Sequence, residues 1–363
     1  MRSAVEQIDG DWSAFEREVE RHDLTILAND ALRAAGVEPP ETLSNKSKEQ
    51  KLRALSLTRE AMRLIDALAK AGINAIILKG PLLSQQIYGN PALRNSIDID
   101  LLVDWDDFRA AQRCLQQSGY ELYSAEPPYD DWRIEPWREL AKDIIMTNSE
   151  QRLVLELHHR LKSPAALLRG LTMAQAQGTT VLAGKEFASF ERADLFIYLC
   201  VHAATSLWDR LKWLADLRAL LAGVGLDEIE AIQKRSEHLG THRCTALGLL
   251  LLHRIWGQSI PGQIAEMAQH DARLRSLEAA SWQRLRGPER SHASLANSLA
   301  RRHLMHLRDD HAFRRAYAKE LTQDRELLER FALPKALRWL YPFLRVVLFV
   351  ERKLGLVRKT SRG

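Results

Sequence analysis

Cysteine is scarce in this chain. Three occur in 363 residues, Cys114, Cys200 and Cys244. They lie far apart with no CxxC pair, so neither a disulfide framework nor a cysteine-based zinc site is indicated, and the reducing cytoplasm is the compartment that suits them. Long apolar runs are missing too. No uncharged stretch reaches the roughly 18 residues a membrane span requires, and the polar, acidic start MRSAVEQIDGDWSAFEREVE lacks the apolar core of a secretory signal. Nor is one sign of charge concentrated: 52 Lys and Arg against 47 Asp and Glu leave a formal net charge of +5. That balance is compatible with nucleotides or anionic surfaces, and falls well short of arguing for a nucleic-acid binder. With no internal repeat or low-complexity tract, a solenoid is not expected. The remaining composition, 46% apolar and 27% charged, is that of an ordinary globular protein long enough for two or three domains.

Apolar positions recur at helical spacing from about Asp11 to Ala35, ending at Glu-Pro-Pro-Glu over 38–41. A second helix is expected over 47–71, with Gly72 as its stop. A short buried strand follows over 74–78, and a helix over 81–88 with Pro81 in its first turn. After the Asn90-Pro91 turn comes a strand over 96–103, then a helix over 105–118 and a strand over 120–123. Residues 125–137 read as a loop. Strands over 143–147 and 152–157 flank Asn148-Ser149-Glu150, which has hairpin-turn composition. Beyond Ala193 the chain reads as helices over about 193–222, 226–256, 261–285, 290–330 and 334–354.

The most informative stretch is LKGPLLSQQIYGNPALRNSIDIDLLV, residues 78–103. Alternation along a strand brings Asp98 and Asp100 out on one face while Ile97, Ile99 and Leu101 pack the other way. Such a pair suits a hard divalent cation, which takes one or two carboxylates together with substrate phosphates. Asp104, Asp106 and Asp107, at a helix start, are explained by capping and the helix dipole.

These residues carry a resemblance. A glycine-led turn and helix, a strand with Asp-hydrophobic-Asp and a later strand carboxylate look like the nucleotidyltransferase fold of the DNA polymerase β superfamily. More narrowly, Leu78-Lys79-Gly80, Arg94 and Asp98-Ile-Asp100-Leu-Leu-Val103 resemble the uncharacterised bacterial nucleotidyltransferase family NTP_transf_5, through Leu155-Glu156-Leu157-His158 and into 199–217. The resemblance covers roughly 46 to 222. It implies an α+β or α/β core with a small mixed β-sheet flanked by helices, followed by a mostly α-helical C-terminal domain. The expected organisation is a helical lead-in over 1–45, a catalytic domain over 46–190 and a helical domain with a basic tail over 191–363.

The activity implied is transfer of a nucleoside monophosphate from an NTP, with ATP the default donor by abundance, to a hydroxyl of a small molecule, peptide or protein. Asp98 and Asp100 would hold Mg²⁺ or Mn²⁺; two such ions about 3.5–4 Å apart serve both attacking and leaving oxygens. Glu156 is the candidate third carboxylate, either completing a second metal site or acting as general base. Lys79, the Gly80 backbone and Arg94 would meet the phosphates. Pro81 stands where the superfamily has a small residue, so its serine–phosphate contact is not expected here. His158 is expected to point away from Glu156, leaving His159 to share that face, and neither is expected to bind metal.

In FIYLCVHAATSLWDRLKWLADLRALL, residues 196–221, Lys212 and Asp216 are expected as a surface pair and the apolar stripe as core. His202 or Arg210 are the side chains placed to reach nucleotide or acceptor across a domain cleft. The segment from 336 to the end combines aromatics, aliphatics and seven Arg or Lys; it is expected to pack on the helical domain with a basic tail, peripheral contact with a membrane being the alternative. Two other readings stand beside the enzyme: a non-catalytic nucleotide- or partner-binding protein, and an RNA end-modifying transferase. For the last, no recognisable RNA module is present, and no specific nucleic-acid partner is expected.

Overall fold

Five short strands and the helices around them make the frame that holds the aspartates. The structure is a computed structural model describing residues 11–123, 125–287, 303–322, 325–331 and 333–353. The chain opens with α1 (Trp12–Arg21), α2 (Thr25–Ala34) and the long α3 (Glu41–Lys70). Next come β1 (Ala75–Ile77), α4 (Gly80–Tyr88), β2 (Ile99–Val103), α5 (Trp105–Gln117), β3 (Glu121–Leu122), α6 (Ile134–Leu140), β4 (Asp143–Asn148) and β5 (Leu153–His158). The sheet order is β1-β2-β5-β4-β3, with β2 and β5 parallel and every other pair antiparallel. This is a mixed sheet within an α/β arrangement. Its central strands are aliphatic because both faces are covered. One face packs on α3 and α5 through Leu57, Leu64, Leu101, Phe108 and Leu155; on the other, Ile76, Leu78 and Leu102 join the helical core.

Residues 178–189 form a hairpin, β6 (Gly178–Leu182) and β7 (Lys185–Ser189), absent from the sequence reading. Its two-residue turn, Ala183-Gly184, has positive φ at both positions, the geometry that matches strand twist but usually selects Asn-Gly. The helical part follows as α7 (Arg192–Thr205), α8 (Leu211–Leu220), α9 (Leu226–His238), α10 (His242–Trp256), α11 (Gly262–His270), α12 (Ala272–Arg286), α13 (His311–Thr322), α14 (Arg325–Arg330) and α15 (Tyr341–Lys353).

Several expected long helices are broken in two, each break having a local cause. The lead-in turns at Asp23, which has φ 56°. Between α7 and α8 the backbone turns left-handed at Leu207 and Trp208, which sinks the Trp208 indole into the core. Gly240, at φ 69°, separates α9 from α10, and Asp271 caps α12 by accepting from the amides of Arg273 and Leu274. Part of the expected loop over 125–137 is α6, whose Trp137 is fully buried. Helix α3 starts directly after Pro40, so the expected 45/46 boundary falls inside it. Asp104 occupies the position before α5 but makes no side-chain capping bond, while Asp106 and Asp107 lie in the first turn, where the dipole favours them. The last helices return to the sheet, with Leu327, Leu328, Tyr341 and Leu348 in the core it shares with α3 and α5.

Candidate active site

The site begins with register. On parallel β2 and β5, Asp100 stands opposite Glu156 and Leu102 opposite His158; on antiparallel β4, Asp143 stands opposite His158. Side chains thus brought to one face need no further folding to meet. His158 Nε2 lies 3.0 Å from Asp100 Oδ1 and 3.2 Å from Glu156 Oε2, and its Nδ1 lies 3.8 Å from Asp143 Oδ2. One donor atom each from Asp100, Glu156 and His158 lie within 4.8 Å of one another. The expectation for the two histidines is therefore corrected. Residues 156 and 158 are two apart on one strand and share a face; His159 turns away. It packs among Trp105, Phe108 and Trp137, and its Nε2–H donates to the Ala141 carbonyl at 2.9 Å.

Cations interleave with the acids. Lys79 Nζ is 3.8 Å from Asp100 Oδ1 and 5.8 Å from the centre of the Tyr198 ring. Lys142 Nζ is 3.1 Å from Glu156 Oε2 and also pairs with Asp143. Burial opposes ionisation of Asp100 and Glu156, yet both stay below the usual carboxylate range: Lys79 and the His158 hydrogen bond hold Asp100, and His158 and Lys142 hold Glu156. For His158, burial and Lys142 push down, and the hydrogen bonds to Asp100 and Glu156 prevail, raising it. Asp98 goes the other way. Burial, then the charges of Asp100 and Glu156, push it up to about 6. It is half-buried, one residue before β2 begins, and lies outside the tight three-atom set. Because the strand starts at Ile99, Ile97 is exposed rather than packed; Ile99 and Leu101 are core as expected.

Gly80 opens α4 at φ 63°, with Ser96 Oγ and the Asp98 carbonyl beside its Cα. Ser96 Oγ is buried and has no hydrogen-bond partner among the described residues. Arg94 is buried and donates from Nε to Asp216 Oδ2 at 2.9 Å, while Tyr88 donates to Oδ1 at 3.0 Å. Asp216 is thus a fully buried anchor, and the expected surface pair with Lys212 does not form. Lys212 instead joins Arg210 on Asp23 Oδ2, each at 2.8 Å. Arg210 is therefore committed to the lead-in. His202, half-buried against Trp213, faces the cluster; burial, then Lys79 and Lys162, drive its pKa well down. Lys162 was not anticipated. It makes no hydrogen bond or ion pair with a described residue, and burial together with Lys79 and Lys142 pushes its pKa down to about 7.

Residues 9–257 match the family of uncharacterised nucleotidyltransferases, NTP_transf_5. The chain belongs to that family. The match starts earlier and ends later than the 46–222 resemblance, taking in the lead-in and α10 of this nucleotidyltransferase-family protein. Two solved structures are similar over about half of it. One is a solution structure of the antibiotic-resistance factor ANT(2'')-Ia, 14% identical with a TM-score of 0.37, covering 51% of this chain and 94% of its own. The other is a crystal structure of ANT(2")-Ia with adenylyl-2"-tobramycin, 13% identical with a TM-score of 0.36, covering 50% and 99%. No curated protein matches the chain.

The donor chemistry of the cluster fits a divalent cation. Asp100 and Glu156 offer hard carboxylate oxygens, Asp98 lies outside their tight set, and the His158 Nε2 lies against both of them. His158, Lys142 and Asp143 were missed as site residues although the sequence held the signal: a hairpin centred on residues 150–151 sets 143 opposite 158. Lys162 lies in a turn after β5, where no periodicity points.

Proposed function

We propose that this protein transfers a nucleoside monophosphate from an NTP, ATP being the default donor, to a hydroxyl of an acceptor. The observation that carries the reading is the parallel β2/β5 register, which sets Asp100 beside Glu156 with Lys79 and the start of α4 next to them. Asp98, Asp100 and Glu156 would hold Mg²⁺ or Mn²⁺. The cation, when bound, would draw charge from the triphosphate oxygens and acidify the acceptor hydroxyl. Glu156, pinned by Lys142 and His158, stays anionic at every working pH and so suits a ligand role better than that of a base. His158 orients the two carboxylates.

On the phosphate side, Lys79 and the amides at the start of α4 supply positive potential. Gly80 permits close approach, and the Ser96 hydroxyl beside it, without a partner among the described residues, offers the contact that Pro81 removes. Arg94 gives its Nε to Asp216 and keeps its two Nη groups for an anion. Lys162, without a hydrogen bond or ion pair among the described residues, is suited to the triphosphate tail, and His202 to the acceptor side. The test is incubation with Mg²⁺, α-labelled ATP and cell extract, beside equilibrium binding of ATP to wild type and to D98N/D100N. Label transfer that the double variant loses supports the reading. Absence of any labelled product, with ATP affinity unchanged in the variant, overturns it.

A further inference from the structure

Helix α15 packs one apolar face and leaves a second bare. Tyr341 and Leu348, 1% and 2% exposed, lie in the core shared with α3 and α5. On the other, Phe343 and Val346 are 63% and 62% exposed beside Val347, and in the helical turn just before α15 Trp339 is 61% exposed beside Leu337. Positions 343, 346 and 347 against 341, 344 and 348 form two opposite stripes of one helix. The Trp339 and Phe343 rings meet edge to face with centroids 6.2 Å apart, so the outer stripe is a continuous aromatic patch rather than scattered apolar side chains.

Charge selects what covers it. Residues 336–363 carry seven Lys or Arg and one acid, Glu351, which is ion-paired with Arg330 at 2.8 Å. Arg338 is exposed next to Trp339, and Arg358, Lys359 and Arg362 follow the helix in sequence. A second copy of this chain would bring the same basic segment against itself, which like-charge repulsion opposes. An anionic bilayer satisfies both features, taking Trp and Phe at headgroup depth and basic side chains among the phosphates. No helix among the described residues is long and apolar enough to cross a membrane, so the contact is in-plane.

We propose that the outer face of α15 and of the helical turn that leads into it is a peripheral docking site for anionic lipid, with Trp339, Phe343 and Val346 seated in the interface and Arg338, together with the basic residues that follow in sequence, holding headgroups. The proposal is independent of the reaction at the β2/β5 site. Flotation of the full chain with phosphatidylcholine vesicles, with and without phosphatidylglycerol, tests it. Binding should require phosphatidylglycerol and weaken as salt rises. W339E/F343E should cost roughly tenfold or more in vesicle affinity, and R358Q/K359Q/R362Q roughly fivefold per charge removed. Both variants should keep the wild-type thermal midpoint, the first because its side chains are exposed, and W339L/F343L should still float. Absent binding, equal binding to both vesicle types, or full binding by W339E/F343E overturns the proposal. So does a wild-type dimer that W339E/F343E converts to monomer, which would make the occupant a second copy.

Discussion

A ring nitrogen hydrogen-bonded to two carboxylates at 3.0 and 3.2 Å does two jobs at His158: it offsets their repulsion and fixes the direction of their remaining lone pairs. Removing it should leave Asp100 and Glu156 in place on their strands but poorly aimed. H158A is therefore expected to weaken Mn²⁺ affinity by about 10–100-fold, the usual effect of losing a partner that orients ligands; calorimetric titration with Mn²⁺ measures it, and unchanged affinity would show His158 to be bystander packing. Lys162 makes a different prediction. With no hydrogen bond or ion pair among the described residues it has little to lose structurally, so K162A should keep the melting temperature of the wild type while ATP binding weakens, and K162R should recover much of it. Equal loss in both variants would point to packing instead. Part of this cluster is legible in the sequence: strand alternation singles out Asp100, and the family resemblance adds Lys79 and Glu156, which the β2/β5 register and the start of α4 bring beside it, while Asp98 stands just before the strand and outside the tight set. His158 was misplaced by one step of strand parity, although the correct parity was in the sequence. Lys162, by contrast, reaches the site through a turn whose path only the tertiary structure fixes.

Among elements, the link that matters joins α8 to the loop before β2. Arg94, Asp216 and Tyr88 form a buried polar set with Asp216 wholly out of solvent. Truncating Asp216 would strand the Arg94 guanidinium in the interior, and breaking a buried pair from one side typically costs about 3–5 kcal/mol. D216A should therefore shift the urea midpoint sharply downward, whereas Y88F, which removes one neutral donor, should cost about 1 kcal/mol. A D216A chain as stable as wild type would mean that the guanidinium finds water or another acceptor. Asp23 plays the matching part for the lead-in, where its carboxylate receives Arg210 and Lys212 at the start of α8 and the His22 ring accepts from the Leu211 amide. Helical periodicity identified α1, α2 and α8 as apolar-striped segments. It carried no information on which turn docks against which, because Lys212 and Asp216 at i and i+4 look like a surface pair until the cross-domain partners are known.

At the scale of the whole molecule, buried histidines set how the fold responds to acid. Burial, then the Arg21 charge, lowers His22 to about 4; burial, then Arg160, lowers His159 to about 3; burial lowers His303 to about 4. Against an ordinary value of 6.5, the unfolded chain binds protons on these rings that the folded chain refuses. Stability from them is complete above about pH 6.5 and falls as pH drops through the window down to about 4, by on the order of 1.4 kcal/mol per pH unit for each ring. His158 acts in the opposite sense, since its raised pKa contributes stability that is full below 6.5 and lost as pH rises. His202 and His242 are lowered as well, so five rings against His158 and the raised Asp98 leave a net loss on acidification. Urea midpoints measured between pH 7 and pH 4.5 should therefore decline steeply. H159F should flatten the slope by about one ring's share, about 1.4 kcal/mol per pH unit, while losing some stability at pH 7 because the Ala141 carbonyl no longer receives the imidazole N–H. An H159F slope as steep as that of wild type would show that this ring takes up its proton without unfolding, and the aromatic enclosure of Trp105, Phe108 and Trp137 would then not be what keeps it neutral.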